Sequence, residues 1–288
     1  MNRKIYYLFH SGKNCKFLYY LRSYLREAMP RWCTQIQLKP LLAKLDDRPD
    51  KAYILERVNY YNKLTPTSPI DATLWQERAV EVCKQPMTNQ STYYHDAMEI
   101  ARYFSGHLKW MLRHGDIVTL LPLPTILKSR PLGNNNQNSV ILKLDKVRHF
   151  LFVNDTKSWR DKKNMAIFRG DIGNEANGDD KPNRRVFMNR WKDHPMVDAA
   201  STDLVDDHPE WRREKLTIGE HLDYKFIMSL EGNDVASNLK WSCRPTPLPS
   251  PLAPLARLGS WRENLYQTTT ILRLRKTSQT LRSDSSIT

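Results

Sequence analysis

Cysteine is scarce in this chain and scattered. Cys15, Cys33, Cys83 and Cys243 are spread over 288 residues with no CxxC pair. No histidine stands in metal-ligand register with them, so neither a disulfide framework nor a zinc site is expected, and a reducing compartment is implied. Long apolar runs are also missing: nothing approaches the roughly 18 residues that a membrane-spanning helix needs. The N-terminal stretch MNRKIYYLFHSGKNCKF has only a five-residue apolar run before His10. That is too short for the apolar region of a secretory signal. No internal repeat is visible. Acidic residues are in deficit, with 31 Asp and Glu against 45 Lys and Arg, a formal net charge of +14 and a pI near 9.6. This balance favours anionic partners: phosphates, nucleic acid or an acidic membrane face. No nucleic-acid recognition motif accompanies the charge, so nucleic acid is not expected as a partner, and a non-catalytic basic nucleic-acid-binding protein stands as the alternative reading.

What is present fits a globular protein, with 40% hydrophobic residues. Phe17, Leu18, Leu21, Tyr24, Leu25 and Met29 recur at three- and four-residue steps, which predicts an amphipathic helix. A basic, aromatic helix of this kind can lie on an anionic membrane, but packing against its own domain is the commoner use. Further helices are expected around 51–63 and 94–104. From Gly115 the texture changes to strands and loops: a β-like run at 116–121, a strand or buried segment at 139–144, and strands at 148–153, 164–168 and 223–230. Residues 170–183, rich in Gly, Asn and Asp, read as a loop, and a helix follows from about Arg184 to Trp191. Strands alternating with helices predict an α/β fold with parallel sheets. The domains expected are a helical extension at 1–50, an α/β domain at 51–160, a second α/β domain at 161–241, and a tail at 242–288. The boundary between the α/β domains is placed near 157–163. In the tail, Pro245, Pro247, Pro249, Pro251 and Pro254 crowd together, and neither a helix nor a central strand passes through such a run.

Three groups of residues carry the chemical signal. A strand, a Gly/Asn/Asp turn and a helix start near Ser237, followed by Lys240, form a geometry suited to phosphate, because free N–H groups and a cation face the anion. Phe168-Arg169-Gly170 puts an arginine at the C-terminal end of a strand, where open α/β sheets bind ligands. Arg184, Arg185 and Arg190 follow near one helix, where Arg184 and Arg185 read either as part of a diphosphate site with the neighbouring loop or as an exposed basic helix face. The planar guanidinium fork suits phosphate oxygens. In the third group, His114-Gly115-Asp116 with Lys128-Ser129-Arg130, the carboxylate can act as general base on a hydroxyl and His114 can orient it.

HGDIVTLLPLPTILKSRP (114–131), NNQNSVILKLDKVRHFLFVND (135–155), AIFRG (166–170), MNRWKDHPMVDA (188–199) and DYKFIMSLEGNDVASNLKW (223–241) occur in that order. Together they resemble the family-ninety glycosyltransferases, the capsule-associated and protein O-glucosyltransferase group, and within it the bacterial branch that assembles lipopolysaccharide core. The resemblance implies two facing Rossmann-like domains (a GT-B-like arrangement), with the C-terminal one incomplete here. It implies transfer from a UDP-sugar to a hydroxyl of a glycolipid or oligosaccharide, with inversion and without an obligatory metal or other cofactor. The place implied is the cytoplasm, peripherally on the inner membrane. By motif, Asp116 matches the general base, and Arg169, Arg190, Asp234, Ser237, Asn238 and Lys240 match the nucleotide-sugar site. Lys128 and Arg130 match acceptor or phosphate contacts. After Trp241 the family pattern stops. With one base restored after that codon, and codons chosen to follow the family, the neighbouring frame continues as VMSSNSLAFSPRPTCETWFMEG. The tail at 242–288 is therefore expected to be an out-of-frame product, and the chain to be poorly stable with little or no activity.

Overall fold

The computed structural model describes residues 3–131, 134–151, 153–203, 208–233 and 236–242. The tail from 243 onward, the ground of the out-of-frame expectation, lies outside them. Helices come first: α1 (Arg3–His10), α2 (Lys16–Ala28), α3 (Trp32–Gln35), α4 (Leu38–Ala43), α5 (Lys51–Tyr61) and α6 (Ala72–Arg78). Strand β1 (Val80–Glu81) pairs antiparallel with β2 (Lys109–Trp110) around α7 (Ser91–Ala101). Next come β3 (Thr125–Leu127), β4 (Ser139–Ile141) and α8 (Lys146–His149), and β3 and β4 run parallel. Leu112 bridges to Ile126 on the other side of β3, so β3 is paired on both edges. Ile126, Leu112 and Leu142 pack with Tyr93, Ala97 and Leu144, which seats α7 on this sheet.

The second sheet has β5 (Lys163–Gly170) at its centre, with β8 (Val197–Ser201) and β9 (Tyr224–Ile227) parallel on either side. Ala166, Ile167 and Phe168 are successive buried residues, as expected of a parallel strand covered on both faces. Between β5 and β8 lie a small antiparallel hairpin, β6 (Gly173–Asn174) with β7 (Asp179–Asp180), and then α9 (Pro182–Trp191). α9 begins with Pro182, whose fixed φ and missing N–H cost nothing in a first helical turn. Its Phe187 and Met188 pack on Ala166, Phe168, Ala199 and Met228. The chain continues through α10 (Ile218–His221) and ends its described part in α11 (Leu239–Ser242). Mixed helices and parallel strands give the α/β class expected.

Several local expectations need correction. Residues 116–121 are irregular rather than a strand. The start of the expected strand at 148–153 is occupied by α8, because the Asp145 carbonyl accepts from the Arg148 and His149 N–H groups. The 170–183 loop contains the β6–β7 hairpin. Gly173 makes that hairpin possible, since its φ is +78° and a Cβ there would stand 1.9 Å from the Asp179 carbonyl oxygen.

The N-terminal helices touch both sheets' surroundings. Arg3 pairs with Glu220 of α10 at 2.6 Å, and the Ile218 N–H donates to the Ser11 carbonyl at 3.1 Å. Asn14 donates to the carbonyls of Val147 and Phe150.

Candidate active site

Two clusters gather the residues with chemical potential. The first lies beside β3. Leaving that strand, the chain places Lys128 with its side chain buried, and the ammonium donates to Oδ1 of Asp116, whose side chain is 38% exposed. Among the described residues Asp116 Oδ2 has no hydrogen-bond partner. A buried cation thus holds one carboxylate oxygen and leaves the residue reachable from solvent. His114 sits two residues before Asp116. Its Nδ1 shares a 2.7 Å hydrogen bond with Thr88 Oγ1, and its ring lies 5.2 Å from the Tyr93 ring. Burial pushes the His114 imidazole below its usual range, so it is neutral at pH 7. His114 Nε2 is buried without a protein partner. Arg130 is anchored elsewhere: it donates to the Tyr60 carbonyl at 2.8 Å, and its guanidinium lies 5.0 Å from the Tyr60 ring centroid. Asp116 and Lys128, both expected from sequence, are therefore in contact, and Arg130 belongs to a neighbouring anchor on α5.

The second cluster runs across the β8–β5–β9 sheet, from the first residues of β8 and β9 to the C-terminal end of β5 and the loops beyond β5 and β9. Arg169 is buried and reaches sideways to β8, pairing with Asp198 at 2.7 Å. Tyr224 of β9 donates to the other oxygen of Asp198 at 2.7 Å. Burial first, and then the bond to this carboxylate, push the Tyr224 phenol up to about 12. Asp198 itself is held below the usual carboxylate range: burial opposes the charge, but the Tyr224 and Arg169 hydrogen bonds outweigh it. Arg169, Asp198 and Tyr224 thus tie the three strands together across one face. Arg190 is exposed on α9, and its guanidinium stacks over Trp191 at 5.1 Å. The structure does not bring it to Arg169.

The arginine that does reach the strand ends is Arg184. It donates through Nε and Nη2 to the Leu230 carbonyl at 3.2 and 3.1 Å, and through Nη1 to the Asp171 carbonyl at 2.6 Å. Gly232 lies against it: a Cβ there would be 3.0 Å from Nη2. Arg185 is buried, donating to the Gly173 carbonyl and pairing with Asp180 at 3.3 Å. The expectation of an exposed basic face for Arg184 and Arg185 is therefore corrected. Both point inward, where their guanidinium groups donate to carbonyls of the strand-end loops. Lys181, also buried, bridges Asp171 and Asp179 at 2.7 and 2.6 Å.

The turn after β9 differs from the expected helix cap. α11 begins at Leu239, after the exposed Ser237, and Asn238 spends its side-chain amide on the Met228 carbonyl at 3.0 Å. Asp234 lies outside the described residues, and so does the side chain of Lys240. One group has metal-ligating atoms close together: Glu81, Cys83 and His107, within 4.8 Å of one another where β1 meets the chain entering β2. Their separation in sequence hid them. Lys84 already neutralises Glu81 at 2.8 Å, and the Lys84 and His107 hydrogen bonds hold that carboxyl at about 2. Among the described residues the three bond to one another and to Lys84, apart from the Asp116 and Arg184 clusters.

No family model and no solved structure matches the chain. O-glucosyltransferase LpsA of Dichelobacter nodosus is 35% identical to it over 212 residues, covering 73% of this chain and 62% of the relative. The match thus spans less than two thirds of that protein's length. Identity at this level over so long a stretch is the mark of common descent, and the chain is a relative of a bacterial glycosyltransferase.

Proposed function

We propose that this chain, or the intact protein it represents, transfers a sugar from a UDP-sugar to a saccharide hydroxyl during lipopolysaccharide or capsule assembly. The observation that carries the proposal is the Asp116–Lys128 pair at the end of a parallel strand, in a chain similar to an O-glucosyltransferase. In this reading the β3–β4 sheet belongs to an acceptor-side domain and the β8–β5–β9 sheet to a facing donor-side domain. Asp116 accepts the proton of the acceptor hydroxyl, whose oxygen attacks the anomeric carbon. The bond to the diphosphate breaks from the opposite face, UDP departs with the electron pair, and the configuration inverts. Lys128 keeps the base oriented, while neutral His114, held by Thr88, supports the turn that presents Asp116. Cationic groups and backbone N–H groups near the ends of β5 and β9 stabilise the developing diphosphate charge, the work a metal does elsewhere. Arg184 shapes this loop from beneath, rather than Arg169 gripping phosphate.

The test is calorimetric titration of the protein with UDP, UDP-glucose and, as controls, GDP and AMP. The reading expects saturable binding of the uridine nucleotides and none of the controls. Equal affinity for all four, falling steeply with salt, would reduce it to nonspecific anion binding.

A further inference from the structure

α2 is attached to the protein by its polar face. Tyr19 Oη donates to Asp96 at 2.9 Å and to the Thr92 carbonyl at 3.1 Å, and Arg26 pairs with Glu99 at 2.5 Å. Glu27 pairs with buried His95 at 2.5 Å, and Tyr20 lies 3.3 Å from Ser91 Oγ. These contacts fasten one side of α2 to α7. The opposite side is apolar and turned outward: Phe17, Leu18 and Leu25 are 72%, 60% and 64% exposed, and Leu21 and Met29 accompany them, while Tyr24 at the edge of this face packs its ring on His95. Packing against its own domain is thus achieved without the apolar stripe, the reverse of an ordinary surface helix. α1 behaves alike. It is clamped by Arg3 to Glu220 while Leu8 and Phe9 stay exposed.

Charge indicates what covers this face. Residues 1–44 contain nine lysines and arginines and a single acidic residue, Glu27. They carry more than half of the chain's formal net charge of +14. A second copy is a poor occupant, because a twofold contact would set this segment against itself. The chain's own residues 243–288 are poor occupants too, with seven basic residues against two acidic ones. An apolar helix face rimmed by cations matches the acyl boundary and headgroups of an anionic bilayer. We propose that α1 and α2 dock this protein on an anionic phospholipid surface, with α2 lying in the headgroup plane. The inference stands independently of the glycosyl-transfer reading.

The experiment is flotation of the full chain with vesicles of phosphatidylethanolamine and phosphatidylglycerol, and with vesicles of phosphatidylcholine alone. It is repeated for Phe17→Ser/Leu21→Ser/Leu25→Ser and for Lys16→Glu/Arg22→Glu, substitutions at exposed positions whose fold is checked by circular dichroism. Binding to the anionic vesicles is expected to exceed binding to phosphatidylcholine by at least about tenfold. Each variant is expected to lose most of it, and only the charge variant should bind with reduced salt sensitivity. Equal binding of the triple-serine variant and the parent would overturn the proposal. So would equal binding to both lipids. A parent that does not float, but sediments as a dimer that the serine variant converts to monomer, would give the face to a second copy. Absence of flotation in a monomeric parent would refute the proposal too, and binding to an acidic protein would then be the alternative.

Discussion

Arg184→Met probes the loop end of the β8–β5–β9 sheet without changing side-chain length much. In the parent, one half-buried guanidinium supplies hydrogen bonds to two carbonyls, Leu230 after β9 and Asp171 after β5. Burial pushes this guanidinium below its usual range, with Asp171 and Asp179 opposing the shift. Met keeps the apolar stem against Gly232 but removes every donor. Leaving such carbonyls without partners costs about 1–3 kcal/mol, less whatever is regained by no longer desolvating a charge. With a urea dependence of about 2–3 kcal/mol/M, the unfolding midpoint should fall by about 0.5–1 M. Arg184→Lys keeps the charge but not the fork and should fall between the two, because geometry rather than charge is what ties the loops. Nucleotide affinity should decline in the same order, since the turn at 231–233 loses its support. An unchanged midpoint in Arg184→Met would refute the reasoning, as would Lys restoring the parent value.

Gly173→Ala must place a methyl 1.9 Å from the Asp179 carbonyl oxygen at a φ of +78°. A cost of at least about 2 kcal/mol is expected in thermal melts. Gly178→Ala, with φ +72° and open space around it, is the control, and should lose only about 1 kcal/mol. Glu220, hydrogen-bonded first of all by Arg3, has its carboxyl lowered to about 2 from a model-peptide value of 4.5. A depressed acid contributes stability above its unfolded pKa and loses that contribution as pH falls through the folded one. Glu220→Gln should therefore be less stable at pH 7, and its urea midpoint should fall less than the parent's between pH 4.5 and pH 2. Parallel curves would show the pair to be inconsequential. For the tail, sequencing the gene across the Trp241 codon and weighing the C-terminal peptide should reveal one missing base. A native reading frame encoding 242–288 would refute that account.

Sequence periodicity located α2, whose apolar residues repeat at helical steps, and the expected helices at 51–63, 94–104 and 184–191 overlap α5, α7 and α9; β5 and β9 were legible as short apolar runs. It missed β8, where Val197-Asp198-Ala199 hides a strand behind a carboxylate that Arg169 neutralises from the next strand. It mistook 148–153 for a strand because a short apolar run does not reveal whether it is extended. Asp116 and Lys128 were both named, but the intervening irregular segment and strand β3 concealed that one grips the other. The inward anchoring of Arg184 was hidden because helix spacing gives no sign of the carbonyls it meets in a distant loop. The polar attachment of α2 was likewise invisible, since the partners Asp96, Glu99 and His95 lie far along the chain.

The most direct test of the account is the rate of sugar transfer from UDP-glucose to a core oligosaccharide by the frame-restored protein and its Asp116→Asn variant. If Asp116 is the base, transfer should fall by about 10²–10⁴-fold while UDP affinity stays unchanged, and the unfolding midpoint should fall modestly because buried Lys128 loses its counter-charge. Transfer by Asp116→Asn at the parent rate would contradict the account.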